Sequence, residues 1–466
     1  MTAARIFSDA ALYANTGYGP RFAVLDVGLE KQVAVVEPDH AFWALVARDN
    51  LEDALSGGII QEFNSQAESF HKEMKHLRFG LKPSAVYFNP TERCNFNCGY
   101  CYLPEAMRRD GRTMTPDELC ETLASLLSSF RQVLPEGAKP QIVFHGSEPL
   151  LAKEAVFAGI ERYRNDFHFG VQTNGTMLDD DAIGFLTDHG VGIGISLDGP
   201  DAQVANATRM NWAGTGFFDH VVSVIEKLVS YPAFNVITTV TRANVHALTA
   251  TVDLLHGLGV RVAMLNPVRC TQQGGQNLKP ENSELSEQFC RALDRTYELH
   301  QISGRKLVIA NFANVLAGIA GPTGRRLMCD ISPCGGGRCF FAVSAAGEAF
   351  PCSEFIGFPE FCGGHVMRDS IETIIQSAPF KAVTGRKVET ISPCAQCAIR
   401  HFCGAPCPAE IHAVSGTLNA PSPYCQFYEE QVRYAFRVIA EGRENAYMWD
   451  GWEDETEESF ALGGGL

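Results

Sequence analysis

The sequence predicts an α/β fold in which a parallel sheet forms an incomplete barrel. From residue 85 to about residue 301, apolar runs of strand length alternate with runs of helical spacing such as TPDELCETLASLLSSF. Strands that alternate with helices form βαβ units and pair in parallel. The strand candidates are SAVYFNP, QIVFHG, FHFGVQTNG, VGIGISLDG, FNVITTVT and VRVAMLNP. These six strands fit a partial, TIM-like (β/α)6 barrel better than a complete one.

Three further regions flank this barrel, and the predicted boundaries are 1–84, 85–320, 321–430 and 431–466. The first region has no cysteine; its runs RFAVLDV and KQVAVVEP predict strands, and DHAFWALVARDN and the following segments predict helices. It is therefore expected to be a small α+β module. The third region holds ten of the sixteen cysteines, so metal ligation should supply much of its folding energy. The last region predicts a helix and a disordered acidic tail.

Composition excludes several classes of protein. The net charge of -16 argues against a nucleic-acid partner, because phosphate binding depends on Lys and Arg. We find no apolar run long enough for a membrane span and no signal peptide in MTAARIFSDAALY, so a cytoplasmic protein without a membrane partner is expected. In that compartment, clustered cysteines indicate metal binding or catalysis before disulfides.

The stretch TERCNFNCGYCYLP carries three cysteines, Cys94, Cys98 and Cys101, with the spacing C-x3-C-x2-C. It follows the first barrel strand, so it lies at the carboxyl end of the sheet, where active sites form. Three thiolates can hold three irons of a [4Fe–4S] cluster and leave one iron open. A structural zinc site is the alternative, but such sites usually close with four ligands.

This triplet, with the aromatic Tyr100 before its third cysteine, resembles the signature of the radical S-adenosylmethionine (radical SAM) enzymes. The resemblance implies that the open iron binds the amino and carboxylate groups of S-adenosylmethionine. Reductive cleavage of that cofactor would give a 5′-deoxyadenosyl radical, which abstracts a hydrogen atom from the substrate. An electron donor such as flavodoxin or ferredoxin is then expected as a partner.

Later strand ends carry further motifs of the same family. HGSEPL, at residues 145–150, resembles the G-G-E-P motif, which implies that Gly146, Ser147 and Glu148 receive the methionine ammonium. Ser147 replaces the usual second glycine. TNG, at residues 173–175, matches the end of the third strand.

ISLDGP, at residues 195–200, matches the end of the fourth strand. The resemblance places Ser196 near the cofactor carboxylate or ribose, and Arg209 where a guanidinium would bind the carboxylate. Asp198 is a candidate catalytic base, although a turn-stabilising role is at least as compatible with its motif. His145 is interpreted as structural.

The downstream cysteines follow the pattern C-x12-G-x4-C and then C-x2-C-x5-C-x3-C. This resembles the SPASM extension of peptide-maturing radical enzymes, which holds two auxiliary [4Fe–4S] clusters, so three clusters are expected in all. The resemblance assigns the second auxiliary cluster to Cys394, Cys397, Cys403 and Cys425. It assigns the first to Cys334, Cys352 and Cys407, with either Cys329 or its rival Cys339 as fourth ligand.

Enzymes with this extension mostly modify ribosomally made peptides or proteins. In sulfatase maturases a base, Asp, directly follows the G-x4-C cysteine; here Ser353 and Glu354 follow it, which lowers the expectation of formylglycine formation. Length and motifs resemble the maturation proteins of quinohemoprotein amine dehydrogenase, which implies thioether crosslinks between Cys and Asp or Glu. Carbon–carbon crosslinking, formylglycine-type oxidation, small-molecule oxidation and a purely electron-transferring protein are the alternatives. The first 84 residues would bind a leader peptide or cap the barrel.

Overall fold

The computed structural model describes residues 12–14, 21–321 and 327–452. Strands and α-helices are numbered separately in chain order. The strands are β1 Leu12–Ala14, β2 Arg21–Leu25, β3 Gln32–Glu37, β4 Phe42–Ala47, β5 Ala85–Phe88, β6 Gln141–Phe144, β7 His168–Thr173, β8 Gly192–Ser196, β9 Phe234–Val240, β10 Val262–Pro267, β11 Val308–Ile309, β12 Phe340–Val343, β13 Glu348–Phe350 and β14 Gly364–His365.

The helices connect these strands or cover the sheet. They are α1 Leu51–Asp53, α2 Ile59–Lys75, α3 Glu105–Asp110, α4 Pro116–Val133, α5 Lys153–Tyr163, α6 Asp180–Asp188, α7 Ala202–Ala205, α8 Phe218–Leu228, α9 Leu248–Leu258, α10 Gln273–Asn277, α11 Asn282–Ser303, α12 Ala310–Ala320, α13 Ile371–Gln376, α14 Ala378–Thr384, α15 Arg400–Cys403, α16 Pro408–Ser415, α17 Cys425–Ala440 and α18 Glu444–Tyr447. No helix within the described ranges is long and apolar enough to cross a bilayer.

The central sheet confirms the predicted α/β class. In the described part of the chain its order is β11-β10-β9-β8-β7-β6-β5-β12-β13-β14, and every pair from β11 to β12 is parallel. The six predicted strands β5 to β10 lie side by side in sequence order, as in a barrel wound in one direction. The described ends of the sheet do not pair with each other, so the barrel is open.

The sheet extends beyond the six predicted strands. At one edge β11 pairs with β10, and at the other edge β12, from the cysteine-rich region, pairs in parallel with β5. The predicted domain boundaries at residues 84, 320 and 430 stay predictions. The central sheet crosses the boundary at residue 320, because β11 lies before it and β12 after it. Helix α17 begins at Cys425, before the predicted boundary at residue 430, and continues into the last region; the acidic tail after residue 452 lies outside the described residues.

Local sequence explains why the crossover helices begin where they do. Helix α4 starts with a capping box: the Thr115 hydroxyl accepts the Glu118 N–H, and the Glu118 carboxylate accepts the Thr115 N–H. Pro116 occupies the first helical position, where a missing N–H costs nothing. The buried residues of α4, including Leu119 and Leu123, recur at helical spacing and pack in the main core.

The N-terminal module corrects one sequence prediction. Strands β1 to β4 form an antiparallel sheet, and β4 occupies part of the segment DHAFWALVARDN that was predicted as helix. The prediction was wrong because β4 pairs along its whole length with β3, from Phe42 opposite Glu37 to Ala47 opposite Gln32. Cross-strand pairing outweighs a local apolar spacing that both conformations can accommodate.

Arg78 joins this module to the cysteine-rich region. Its guanidinium donates to both carboxylate oxygens of Glu389, at 2.6 and 2.9 Å, and its Nε donates to the Ser332 carbonyl at 2.5 Å. The Arg78 side chain is buried, whereas that of Glu389 is 35% exposed. This bidentate pair therefore links segments more than 300 residues apart in the chain.

We predict that Arg78→Met lowers the free energy of unfolding by about 2 kcal/mol, because it removes a bidentate, partly buried pair. The matched control is Arg48→Met, whose pair with Asp26 is exposed on both sides; it should cost less than about 1 kcal/mol. Anaerobic calorimetry of the two variants measures the difference as a change in Tm. Equal Tm values for both variants would contradict the linking role.

Candidate active site and cysteine sites

A cavity of about 400 Å³ opens at the carboxyl ends of the parallel strands. Its wall is built from the segments that follow β5 to β10 on one side and from the cysteine-rich region on the other. Cavities at this end of a parallel sheet are the usual place for an active site.

The loop after β5 places Cys94, Cys98 and Cys101 together in the cavity wall. Its backbone is fastened to the segment after β8: the N–H of Asn97 donates to the Met210 carbonyl at 2.8 Å, and that of Gly99 donates to the Thr208 carbonyl at 3.0 Å. These bonds fix a loop that has no regular structure of its own.

The surroundings of the three thiols are apolar enough to oppose ionisation. Burial raises the pKa of Cys94 and Cys98, and it raises the pKa of Cys101 to about 11. Thiols in such a site remain protonated at neutral pH until a metal replaces the proton. The donor set is therefore suited to metal binding rather than to free thiolate chemistry.

Behind the cysteine loop lies a buried charge network. Arg209 Nη1 donates to the Tyr100 hydroxyl at 2.6 Å, and that hydroxyl donates to Asp198 Oδ2. Arg209 and Tyr100 line the cavity, but Asp198 is fully buried behind them, where it also accepts the Thr239 N–H. Burial raises the pKa of Asp198, and Arg209 and Tyr100 oppose that rise. A role for Asp198 as base stays a prediction, since Tyr100 separates its carboxylate from the cavity.

The HGSEPL motif is divided between the cavity wall and the layer beneath it. Gly146 and Ser147 line the cavity, whereas the Glu148 carboxylate is fully buried. Glu148 accepts the Thr173 hydroxyl at 2.7 Å and the Asn174 N–H at 2.8 Å, so it fixes the start of the TNG loop. Its predicted contact with the cofactor ammonium remains a prediction.

Gly146 cannot be replaced by a larger residue without rearrangement. Its φ is +104°, and a Cβ added there would lie 2.3 Å from Cγ of the buried Asn89. Glycine is thus required both by conformation and by space. Ser147, the departure from the family motif, uses its hydroxyl to donate to the Thr91 carbonyl at 2.7 Å. This hydrogen bond therefore connects the loop after β6 to the loop after β5.

Polar groups from the next strands complete this part of the wall. Ser196 lines the cavity beside Asn174, whose side chain donates to Asn95 Oδ1 at 2.8 Å. Asn95 in turn donates to the Thr176 hydroxyl at 2.8 Å. This Asn95–Asn174–Thr176 network couples the cysteine loop to the loop after β7. Sequence reasoning missed it, although the TNG motif marked one of its members.

Four downstream thiols also line this cavity. They are Cys329, Cys334, Cys352 and Cys407. Cys339, the rival for the fourth position, does not line the cavity and lies in the main hydrophobic core. The geometry therefore groups Cys329 with the other three.

A second, smaller cavity gathers the remaining predicted set. Cys394, Cys397, Cys403 and Cys425 line it. They come from the turn before α15, from the end of α15 and from the first residue of α17. Burial raises the pKa of all four thiols, so a metal that binds them as thiolates must displace their protons. Elsewhere, Cys120 is buried in the main core and faces neither described cavity.

Two ionisable groups in the large cavity were not identified as functional from sequence. Burial raises the pKa of Glu354 to about 7, although Arg269 opposes the rise. His145 is neutral, because burial lowers its pKa to about 4, and its Nδ1 lies 3.3 Å from the Tyr102 hydroxyl. The position of Glu354, two residues after the last cysteine of the C-x12-G-x4-C motif, was the available signal. The cavity thus contains a carboxyl group and an imidazole between the two cysteine sets.

Comparison with known protein families agrees with this geometry. The radical SAM superfamily matches residues 88–255, and the SPASM iron–sulfur cluster-binding domain matches residues 334–398. The first match contains the triplet, and the second contains Cys334, Cys352, Cys394 and Cys397. The family expected from the cysteine spacing is confirmed.

Individual relatives extend the likeness over most of the chain. An uncharacterised protein of Archaeoglobus fulgidus is 40% identical, over 87% of this chain and 92% of its own length. A cysteine-type anaerobic sulfatase-maturating enzyme of Clostridium perfringens is 22% identical over 76% of this chain and 97% of its own. The PqqA peptide cyclase of Rhodopseudomonas palustris is 26% identical over 74% of this chain and 87% of its own.

A solved structure shows the same fold. Native anSMEcpe with bound AdoMet and Cp18Cys peptide superposes with a TM-score of 0.66 at 20% identity, over 78% of this chain and 99% of that one. The cysteine triplet at the mouth of the parallel sheet and the cysteine-rich region that closes the cavity are thus parts of a known architecture. The chain belongs to the radical SAM superfamily and carries a SPASM iron–sulfur cluster-binding domain.

Proposed function

We propose that this enzyme modifies a ribosomally made peptide or protein by forming thioether crosslinks between a cysteine and the carbon of an acidic residue. The observation that carries the proposal is one cavity lined by the C-x3-C-x2-C thiols at one side and by Cys329, Cys334, Cys352 and Cys407 at the other. A substrate in this cavity can contact both cysteine sites. Similarity to two relatives, a sulfatase-maturating enzyme and a peptide cyclase, supports a peptide substrate.

The residues present fit three [4Fe–4S] clusters. Cys94, Cys98 and Cys101 would hold the catalytic cluster and leave one iron for S-adenosylmethionine. The first auxiliary cluster would be held by Cys329 and the three thiols beside it in the large cavity. The second would be held by the four thiols of the smaller cavity.

The side chains around the triplet would position S-adenosylmethionine. Arg209 would bind its carboxylate, while its bond to Tyr100 keeps the guanidinium in place. Gly146 and Ser147 would lie against the methionine end, and Ser196 near the carboxylate or ribose. When bound, cluster and cofactor together supply the radical that removes a hydrogen atom from the substrate.

Thioether formation requires an electron acceptor as well as a radical. The substrate carbon loses a hydrogen atom, the cysteine thiol loses a proton, and a carbon–sulfur bond forms. One electron remains after these changes, and the oxidised first auxiliary cluster would receive it. The proximity of that cysteine set to the cavity favours this route.

The proposal includes two partners. A reduced flavodoxin or ferredoxin would deliver the electron that starts each turnover. The module of residues 1–84 would bind a leader peptide by strand addition, since β4 is the outer strand of its sheet in the described residues. Its Trp43 donates to the Ile319 carbonyl, so a peptide bound there would lie close to the barrel.

We predict that Cys98→Ala abolishes reductive cleavage of S-adenosylmethionine and lowers iron from about twelve to about eight atoms per chain. Cys120→Ala is the matched control, because that thiol is buried in α4 away from both described cavities. Iron analysis and chromatography of 5′-deoxyadenosine after dithionite reduction measure the effects. Cleavage that persists in Cys98→Ala would overturn the assignment of the triplet.

A second prediction concerns the fourth ligand of the first auxiliary cluster. Cys329→Ala should change or remove the electron paramagnetic resonance (EPR) signal of that cluster, whereas Cys339→Ala should leave it intact. The reason is that Cys329 faces the cavity and Cys339 lies in the core. The opposite pattern would assign the ligand to Cys339.

The reaction itself is tested by mass spectrometry of a short cysteine-containing peptide encoded beside this chain. Incubation with the reconstituted enzyme should remove the mass of two hydrogen atoms per crosslink and protect the cysteine from alkylation. The same mass loss with a free thiol would indicate a carbon–carbon crosslink instead. Conversion of the cysteine to an aldehyde would indicate formylglycine formation instead.

A further inference from the structure

Five arginine side chains are buried in the described part of the chain, and they fall into two groups. Arg78 and Arg400 pair with the carboxylates of Glu389 and Asp39. The other three have no carboxylate within ion-pair distance among the described residues: Arg108, Arg338 and Arg386. A buried cation without an anion is strongly unfavourable, so these three need another source of negative charge.

Backbone carbonyls hold Arg386 without neutralising it. Its Nε donates to the Leu418 carbonyl at 2.6 Å, and its Nη2 donates to the Ala420 carbonyl at 3.4 Å, while the side chain is buried at 3% exposure. These bonds supply dipoles and fix the guanidinium in position. They leave its full positive charge in an apolar environment.

The segment that binds Arg386 runs from one auxiliary cysteine site to the other. Leu418 packs in the same hydrophobic cluster as Cys334 and Cys407, and Ser422 lines the smaller cavity. Arg386 is held by the carbonyls of Leu418 and Ala420, at the start and middle of this segment. The two carbonyls that hold the guanidinium therefore belong to a segment that connects the two cysteine sets.

The electrostatic neighbours of Arg386 agree with that position. They are Cys334 and Cys407 of the first set and Cys394 and Cys403 of the second. Arg338, by contrast, is an electrostatic neighbour of Cys334 and Cys339. Of these two arginines, Arg386 is the one with thiols of both sets among its electrostatic neighbours.

We propose that Arg386 is a shared countercharge that raises the reduction potentials of both auxiliary clusters. A [4Fe–4S] cluster with four thiolates is an anion, and it gains one further negative charge when it takes up an electron. A fixed cation close to both clusters favours the reduced form of each, which makes both of them better acceptors of the electron released during crosslinking. In this proposal Arg386 acts on the clusters through its charge and does not contact the substrate.

The proposal rests on the two auxiliary sites assigned above, and the experiment separates the two claims. Full-length protein carrying Cys94→Ala, Cys98→Ala and Cys101→Ala leaves the auxiliary clusters as its only EPR signals. In this background, iron content tests the cluster assignment, whereas a redox titration followed by EPR tests Arg386. Fewer than about eight irons per chain would count against the assignment itself.

Arg386→Met should lower both midpoint potentials by about 59 mV or more. For a one-electron couple, that shift corresponds to about a tenfold change in the equilibrium constant of reduction. Arg386→Lys, which keeps the charge, should stay close to the parent. Arg338→Met is the matched control and should shift only the first auxiliary cluster. Unchanged potentials in Arg386→Met, or a shift in one cluster alone, would overturn the shared role.

A loss of iron in Arg386→Met is also informative. Arg386→Gln then replaces it, because the amide can still donate to the Leu418 carbonyl without carrying a charge. If Met and Gln both lose about eight irons and Lys keeps them, the charge is required at both sites and the countercharge role stands; a loss of only about four irons would overturn the shared role. If Lys fails in the same way, the shape of the guanidinium matters rather than its charge, and the proposal is wrong.

Discussion

The candidate active site depends on backbone hydrogen bonds between the cysteine loop and the segment after β8. The loop at residues 94–101 has no helix or strand to hold it, so bonds from Asn97 and Gly99 to the carbonyls of Met210 and Thr208 determine its course. The same segment carries Arg209, which reaches back to Tyr100. Cysteine triplet and proposed cofactor-binding arginine are thereby positioned as one unit.

Charge is distributed through the interior in a way that an apolar core alone does not explain. Around the triplet, Arg209 and Asp198 meet through Tyr100, and the polar wall continues through Asn174 to Asn95. In the cysteine-rich region, the buried Arg386 has no carboxylate within ion-pair distance among the described residues. Such an arrangement is stable when anionic groups occupy the spaces between them. Anionic iron–sulfur clusters bound by the cysteines would supply this negative charge.

The sequence predicted the parallel strands and the cysteine sets, because short apolar runs and ligand spacing are local signals. It failed at β4, where pairing with β3 decided the conformation. It could not reveal that Glu148 is directed away from the cavity, since the directions of neighbouring side chains at a strand end depend on the next loop. Nor could it choose between Cys329 and Cys339 as the fourth ligand, because both fit the spacing. Only the folded structure shows that Cys339 lies in the main hydrophobic core.

The parallel pairing of β12 with β5 has a consequence for biosynthesis. Phe340 lies beside Ala85, so one edge of the first barrel strand stays bare until most of the chain has left the ribosome. An unpaired, apolar strand edge is prone to aggregate, and non-local parallel pairing forms slowly. The edge of β5 is therefore paired only after the cysteine-rich region has been synthesised, so that region completes the sheet of the barrel as well as the wall of the cavity.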